Sequence, residues 1–218
     1  MMLFGHMGIT LAAGILAKGT LVLVGKSALK VADKEREVFS ESASHLNHKE
    51  DCSPGNKISS LSLLKDHIDY RLLLVGSLLP DLLDKPMGEL FFYRTFQNGR
   101  IFGHTLFLNI LLAALGIYVL KRRQSIWLFT LAFGSTIHLI LDRMWLNPQT
   151  LLWPVYGWSF AKTSSTDFFG WLLKILHILT MEASVYVLEI IGFGILVWFT
   201  VKLIKERKVY AFVRNGIA

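Results

Sequence analysis

The chain has 218 residues, of which 53% are hydrophobic and 18% charged, and its mean hydropathy is +0.47. A water-soluble domain of this size needs more polar surface, so composition excludes most disordered, secreted disulfide-rich and ordinary cytosolic proteins. The single cysteine, Cys52, allows no intrachain disulfide and no thiolate metal cage. The net charge of +7 comes from basic residues clustered at the ends of apolar runs, as at Lys121-Arg122-Arg123 and in residues 202–214. That placement fixes orientation in a membrane and argues against nucleic-acid binding. No positive n-region precedes the first apolar stretch and no cleavage pattern follows it, so no cleavable signal peptide is expected.

Five helical spans are expected in a single membrane domain, 1–218. The first covers residues 7–26, with Lys18 near its middle, a charge that must snorkel, face protein or mark an early end. Residues 27–70 follow, rich in Ser, Asn, Gly and charge, and read as a cytoplasmic loop or short amphipathic helix. The second span, 72–83, reaches only about 18 Å as helix against a hydrocarbon core of about 30 Å, so it draws on Tyr70 and Arg71 or stops inside the membrane. The third and fourth, 104–120 and 125–141, are joined by a basic four-residue link that forces an antiparallel pair. Residues 143–182, with Trp153, Tyr156, Trp158, Phe168 and Trp171, read as an extracytoplasmic interfacial segment. The fifth span is 183–204, interrupted by Glu189. The expected fold class is an all-α polytopic transmembrane bundle.

Counting basic residues sets the orientation. Residues 27–70, the 121–124 link and the tail after Val201 hold 14 Lys and Arg, against 6 in 84–103 and 143–182. The bias places the C-terminus in the cytoplasm and the N-terminus outside, in the plasma (inner) membrane.

On that topology His6 begins span one, Asp81 and Asp84 end span two, His104 begins span three, and His138 with Asp142 ends span four. All six fall at one membrane face, although neither hydropathy nor charge count used them. His138 and Asp142, four apart, share a helix face; Asp81 and Asp84 do so if helix continues past Pro80, where a turn is equally open. Burying several ionisable groups at one depth is costly unless a metal, a partner or water compensates. Three His and three Asp suit Zn²⁺ first and Mn²⁺ second, as one or two ions. Arg100, four residues before His104, can clamp a phosphate or carboxylate, or snorkel to lipid phosphates. Glu189 is expected beside this site, about 9 Å below the outer boundary, as a supporting carboxylate or further ligand, with Glu182 one polar step above it.

Phe4-Gly5-His6, Gly76-Ser77-Leu78-Leu79-Pro80-Asp81-Leu82-Leu83-Asp84, Arg100 through His104-Thr105, His138-Leu139-Ile140-Leu141-Asp142 and Leu152-Trp153-Pro154 occur in that order. This order resembles the YdjM-type membrane-bound metal-dependent hydrolases, and is similar to that of zinc-dependent phospholipase C proteins. The resemblance implies the same six ligands and hydrolysis of a phosphoester or related ester, with a lipid as a fitting substrate. Arg100-Ile101-Phe102-Gly103-His104-Thr105 departs from the usual Arg-Gly-x-Thr-His-Ser, and residues 27–70 resemble an insertion. In this reading metal-activated water attacks the ester, Arg100 stabilises the developing anion, and Asp84 serves as base.

The rival readings are an ion or proton carrier, which needs polar groups through the whole thickness, and a bundle with a purely structural metal. His45, His48, Asp51 and Cys52 match no closed metal spacing. His67, Asp66 and Asp69 read as solvated interface residues, and His177 as interfacial.

Overall fold

The computed structural model describes residues 3–43, 68–96, 98–160 and 183–216. All regular structure among these residues is helical. The long helices are α1 (Leu3–Ala43), α2 (Tyr70–Lys85), α4 (Leu106–Arg123), α5 (Trp127–Leu141) and α7 (Ala183–Lys205). Short elements connect them: a π-helical turn (Pro86–Phe91), α3 (Tyr93–Phe96), a 3₁₀ turn (Met144–Leu146) and α6 (Pro148–Leu151). A final helix, α8 (Val209–Asn215), follows α7.

Three boundaries differ from expectation. Helix α1 runs to Ala43, so the first part of the polar 27–70 segment continues the first span as helix rather than forming a loop. Lys, Arg, Glu and Ala within 28–43 are strong helix formers, and polarity alone does not end a helix. Helix α2 continues through Pro80, which settles the choice between helix and turn in favour of helix. Helix α4 begins at Leu106, with Thr105 as N-cap accepting from the Leu108 N–H, so His104 sits just before the helix rather than in it. The remainder of the 27–70 segment from 44 to 67, with His45, His48, Asp51, Cys52, Asp66 and His67, lies outside the described residues, as do Phe168, Trp171, His177 and Glu182.

Length divides the five long helices. Two segments, Leu3–Val24 and Tyr186–Lys205, are long and apolar enough to cross a membrane, whereas the apolar α5 has 15 residues. Helix α4 ends in Lys121, Arg122 and Arg123, and α2 carries Arg71, Asp81, Asp84 and Lys85, so neither is an uninterrupted apolar span of about 20 residues. The expectation of five spans is therefore met by length and apolarity in two of them.

Packing follows the order α7, α1, α2, α5, α4, with α1 also reaching α5. Glycines set the two closest crossings. Gly8 and Gly192 bring α1 and α7 together so tightly that a Cβ on either would overlap the other backbone, and Gly76 and Gly134 do the same for α2 and α5. At one end of the bundle Leu11, Tyr70, Leu73, Phe199 and Leu203 form an apolar core, flanked by Ile15 and Phe212. At the other end begin α1, α4 and α7 and finish α2 and α5. Their alternation brings His6, Asp81, Asp84, His104, His138 and Asp142 to the same end.

Candidate metal centre

The core of the site is two groups sharing His138. His6, His138 and Asp142 form one, and Asp81, His104 and His138 the other; within each, the candidate ligand atoms lie within 4.8 Å of one another. His6 Nε2 is 3.1 Å from Asp142 Oδ1, and His138 Nε2 is 3.8 Å from the same oxygen. His104 Nε2 lies 3.5 Å from Asp81 Oδ1, 3.6 Å from Asp142 Oδ2 and 3.3 Å from His138 Nε2. Two ligands about 2.0–2.1 Å from one tetrahedral ion stand about 3.3 Å apart, so the shorter of these separations match such an ion and the longer ones lie a few tenths of an ångström beyond it. Five of the six expected residues thus converge: His6, Asp81, His104, His138 and Asp142.

Hydrogen bonds fix how the imidazoles face. His138 Nδ1 is 2.6 Å from the Ser77 carbonyl, which can only accept, so Nδ1 carries the proton and Nε2 presents a lone pair. His104 Nδ1 is 2.7 Å from Asp84 Oδ2, with the same consequence. Two such lone pairs 3.3 Å apart repel unless positive charge lies between or on them. Asp142 Oδ1 is buried and faces imidazole nitrogens, His6 Nε2 at 3.1 Å and His138 Nε2 at 3.8 Å, in place of backbone or hydroxyl donors. Imidazole nitrogens and carboxylate oxygens arranged this way suit a divalent ion of borderline hardness.

Asp84 differs from its expected place. It is fully buried, and the loop Ile101–His104 wraps it: Oδ1 accepts from the Gly103 N–H at 2.6 Å, and Oδ2 accepts from Ile101 N–H at 2.7 Å, His104 N–H at 3.1 Å and the His104 ring. With both oxygens accepting hydrogen bonds, Asp84 stands behind His104 and outside the two groups of candidate ligand atoms. Gly103 allows this fold of the loop, since a Cβ there would press on the Pro80 carbonyl at 2.7 Å and on Asp84. That explains the glycine immediately before His104.

Arg100 places Nε 3.0 Å from Asp142 Oδ2, and Lys85 places Nζ 2.8 Å from Asp81 Oδ2. Each anionic ligand therefore shares its second oxygen with a cation. The sequence reading missed Lys85, although its position four residues after Asp81 was the available signal. Beside the loop, Phe96, Phe102, Trp153 and Phe160 pack edge to face or stacked, tying residues 98–105 to the segment after α6. The described part of 143–182 thus packs on the site as well as exposing Tyr156 and Trp158.

Of the two roles expected for Glu189, the structure shows the supporting one. Its carboxylate accepts from the backbone N–H groups of Phe4 at 3.0 Å and Gly5 at 2.7 Å, so it caps α1 from a neighbouring helix. Its role at the site is to hold the turn that carries His6, without joining the ligand atoms.

No curated protein and no solved structure matches this chain. One family does, over residues 51–209, a stretch that contains α2, α4, α5 and α7 with Asp81, Asp84, Arg100, His104, His138 and Asp142 but leaves His6 and α1 outside it. The chain belongs to the YdjM inner membrane protein family.

Proposed function

We propose that this membrane protein is a metal-dependent hydrolase acting on a phosphoester or related ester at the outer face of the inner membrane, with a membrane lipid as a fitting substrate. The observation that carries the reading is the convergence of three Nε2 atoms and two carboxylates at ligand spacing, with outer partners on His104, His138, Asp81 and Asp142. His6, His104, His138, Asp81 and Asp142 would supply the donors for Zn²⁺, or Mn²⁺, in two groups that share His138, as one or two ions. A divalent ion held here supplies Lewis acidity, polarising an ester oxygen and making water reactive near neutral pH.

The chain's own residues do the rest. Asp84 and Ser77 keep the His104 and His138 rings in the tautomer that leaves Nε2 bare. Arg100, partly exposed and fixed by Asp142, offers its remaining N–H donors to an anion. Burial of the imidazoles withholds bulk water from all sides but the one where Asp81, Lys85 and Arg100 emerge.

The proposed topology is five helices threading the bundle, N-terminus outside and C-terminus in the cytoplasm, supported by the alternation of α1, α2, α4, α5 and α7 about one site end. A carrier fits less well, since within α4 and α5 no His, Asp or Glu other than His138 is present to continue a relay. The test is turnover: Zn²⁺-loaded protein in nanodiscs should hydrolyse a chromogenic phosphoester or a phospholipid, and a chelator should stop it. Full turnover after metal removal would overturn the reading.

A further inference from the structure

We propose that Lys85 and Arg100 form a two-point clamp for a tetrahedral oxyanion, the phosphoryl group of a phosphoester, at the open side of the His/Asp cluster. The proposal rests on the hydrolytic reading for what happens to the ligand, but its geometry is independent of turnover. Asp142 is 1% exposed, and its partner Arg100 is 38% exposed; Asp81 is 22% exposed, and its partner Lys85 is 49% exposed. Polarity thus runs outward from buried imidazoles through two carboxylates to two cations. His104 Nε2 is near both carboxylates, at 3.5 and 3.6 Å, so the ion pairs flank one imidazole.

Each cation keeps donors to spare. Arg100 meets Asp142 through Nε, which leaves the Nη groups for another acceptor, and Lys85 Nζ meets Asp81 with one of three protons. Charge then selects the ligand. Asp81, Asp84 and Asp142 carry three negative charges against two on Lys85 and Arg100, a net of one negative; one divalent ion makes it one positive. An oxyanion is therefore repelled by the metal-free site and attracted by the loaded one. A neutral ester gains nothing from this arrangement.

Isothermal titration of inorganic phosphate into Zn²⁺-loaded, detergent-solubilised full-length protein tests the clamp, with binding expressed per bound zinc. Wild type should bind, and Lys85→Gln or Arg100→Gln should each weaken binding about tenfold or more, the worth of one charge-assisted hydrogen bond. Lys85→Arg should restore most of it. Unchanged affinity in Lys85→Gln would overturn the proposal and leave Lys85 as a charge at the α2 C-terminus. Nanodiscs with and without phosphatidic acid separate the sources: competition with phosphate marks a lipid headgroup, phosphate binding without competition marks a free phosphoester, and binding of neither overturns the clamp. If wild type binds phosphate through both cations yet hydrolyses nothing, the hydrolytic reading fails and the clamp stands. If a phosphoester is turned over with equal kcat and KM by wild type and both Gln variants, the clamp fails alone.

Discussion

The two ends of the bundle carry aspartate in opposite circumstances, Asp69 before α2 and Asp142 after α5. At the far end Asp69 is the N-cap, its carboxylate taken by the Arg71 backbone N–H at 2.9 Å and the Arg71 guanidinium at 2.7 and 3.1 Å. Arg71 in turn donates to the Val213 carbonyl at 2.7 Å and the Arg214 carbonyl at 3.2 Å, and Tyr70 N–H to the Gly216 carbonyl, so the tail is clasped to the helix. Asp69 and Arg71 thus complete one another there, and apolar side chains fill the space behind them. At the site end the carboxylate of Asp142 meets the ring nitrogens of His6, His104 and His138 at 3.1–3.8 Å, and the Nε2 atoms of His104 and His138 stand 3.3 Å apart. Charges that complete one another make a fastening; charges that converge and remain incomplete make a binding site.

The largest effects that break this comparison lie in the converging group. Asp142→Asn removes a ligand charge and the anchor of Arg100 together, so zinc affinity should fall by more than about 100-fold, beyond the roughly 10–100-fold range of outer partners. Competition titration with a zinc chelator measures it. Asp84→Asn should fall within that range of about 10–100-fold, because His104 loses its orienting carboxylate while Nε2 remains. An effect as large as that of Asp142→Asn would return Asp84 to the ligand set.

Smaller effects sharpen it. Glu189→Gln should cost about 1 kcal/mol of stability as a lost helix cap, read as a lower thermal midpoint in detergent, with zinc content retained; loss of zinc at unchanged stability would restore Glu189 as a ligand. The smallest effect concerns pH at the far end. Burial pushes the Asp69 carboxyl up, but hydrogen bonds from the Arg71 side chain and backbone outweigh it and hold the carboxyl below its ordinary value of 3.8. A depressed carboxylate contributes stability that is present above its unfolded value and lost as pH falls through the folded one. The clasp should therefore hold through neutral and mildly acid pH and loosen only below about 4, seen as faster hydrogen exchange in α8. Loosening between pH 5 and 7 would contradict the assignment.

The positions of the site residues were legible because helix ends are: an apolar run that stops at His or Asp tells where that residue sits in depth, and alternation of runs tells which side. Roles were less legible. Asp81 and Asp84 are three apart on one helix, and only the path of residues 101–104 decides that one faces the ligand group and the other is wrapped by backbone. Glu189 caps a helix 184 residues away in sequence, a contact no local pattern announces. Asp69 looked like a solvated interface residue because its partners come from Arg71 and, through it, the C-terminal tail. Polarity in 28–43 leaves loop and short helix both open, and what it does not show is that the helix there continues the first span without a break.

The central claim is that the site end binds a divalent ion and the far end does not depend on it. Elemental analysis of purified protein, wild type beside His138→Ala and Arg71→Ala, tests it most directly. About one zinc or manganese per chain is expected in wild type and in Arg71→Ala, and almost none in His138→Ala, since that imidazole belongs to both groups of candidate ligands. Equal metal content in all three, or none in any after growth with both metals, would contradict it.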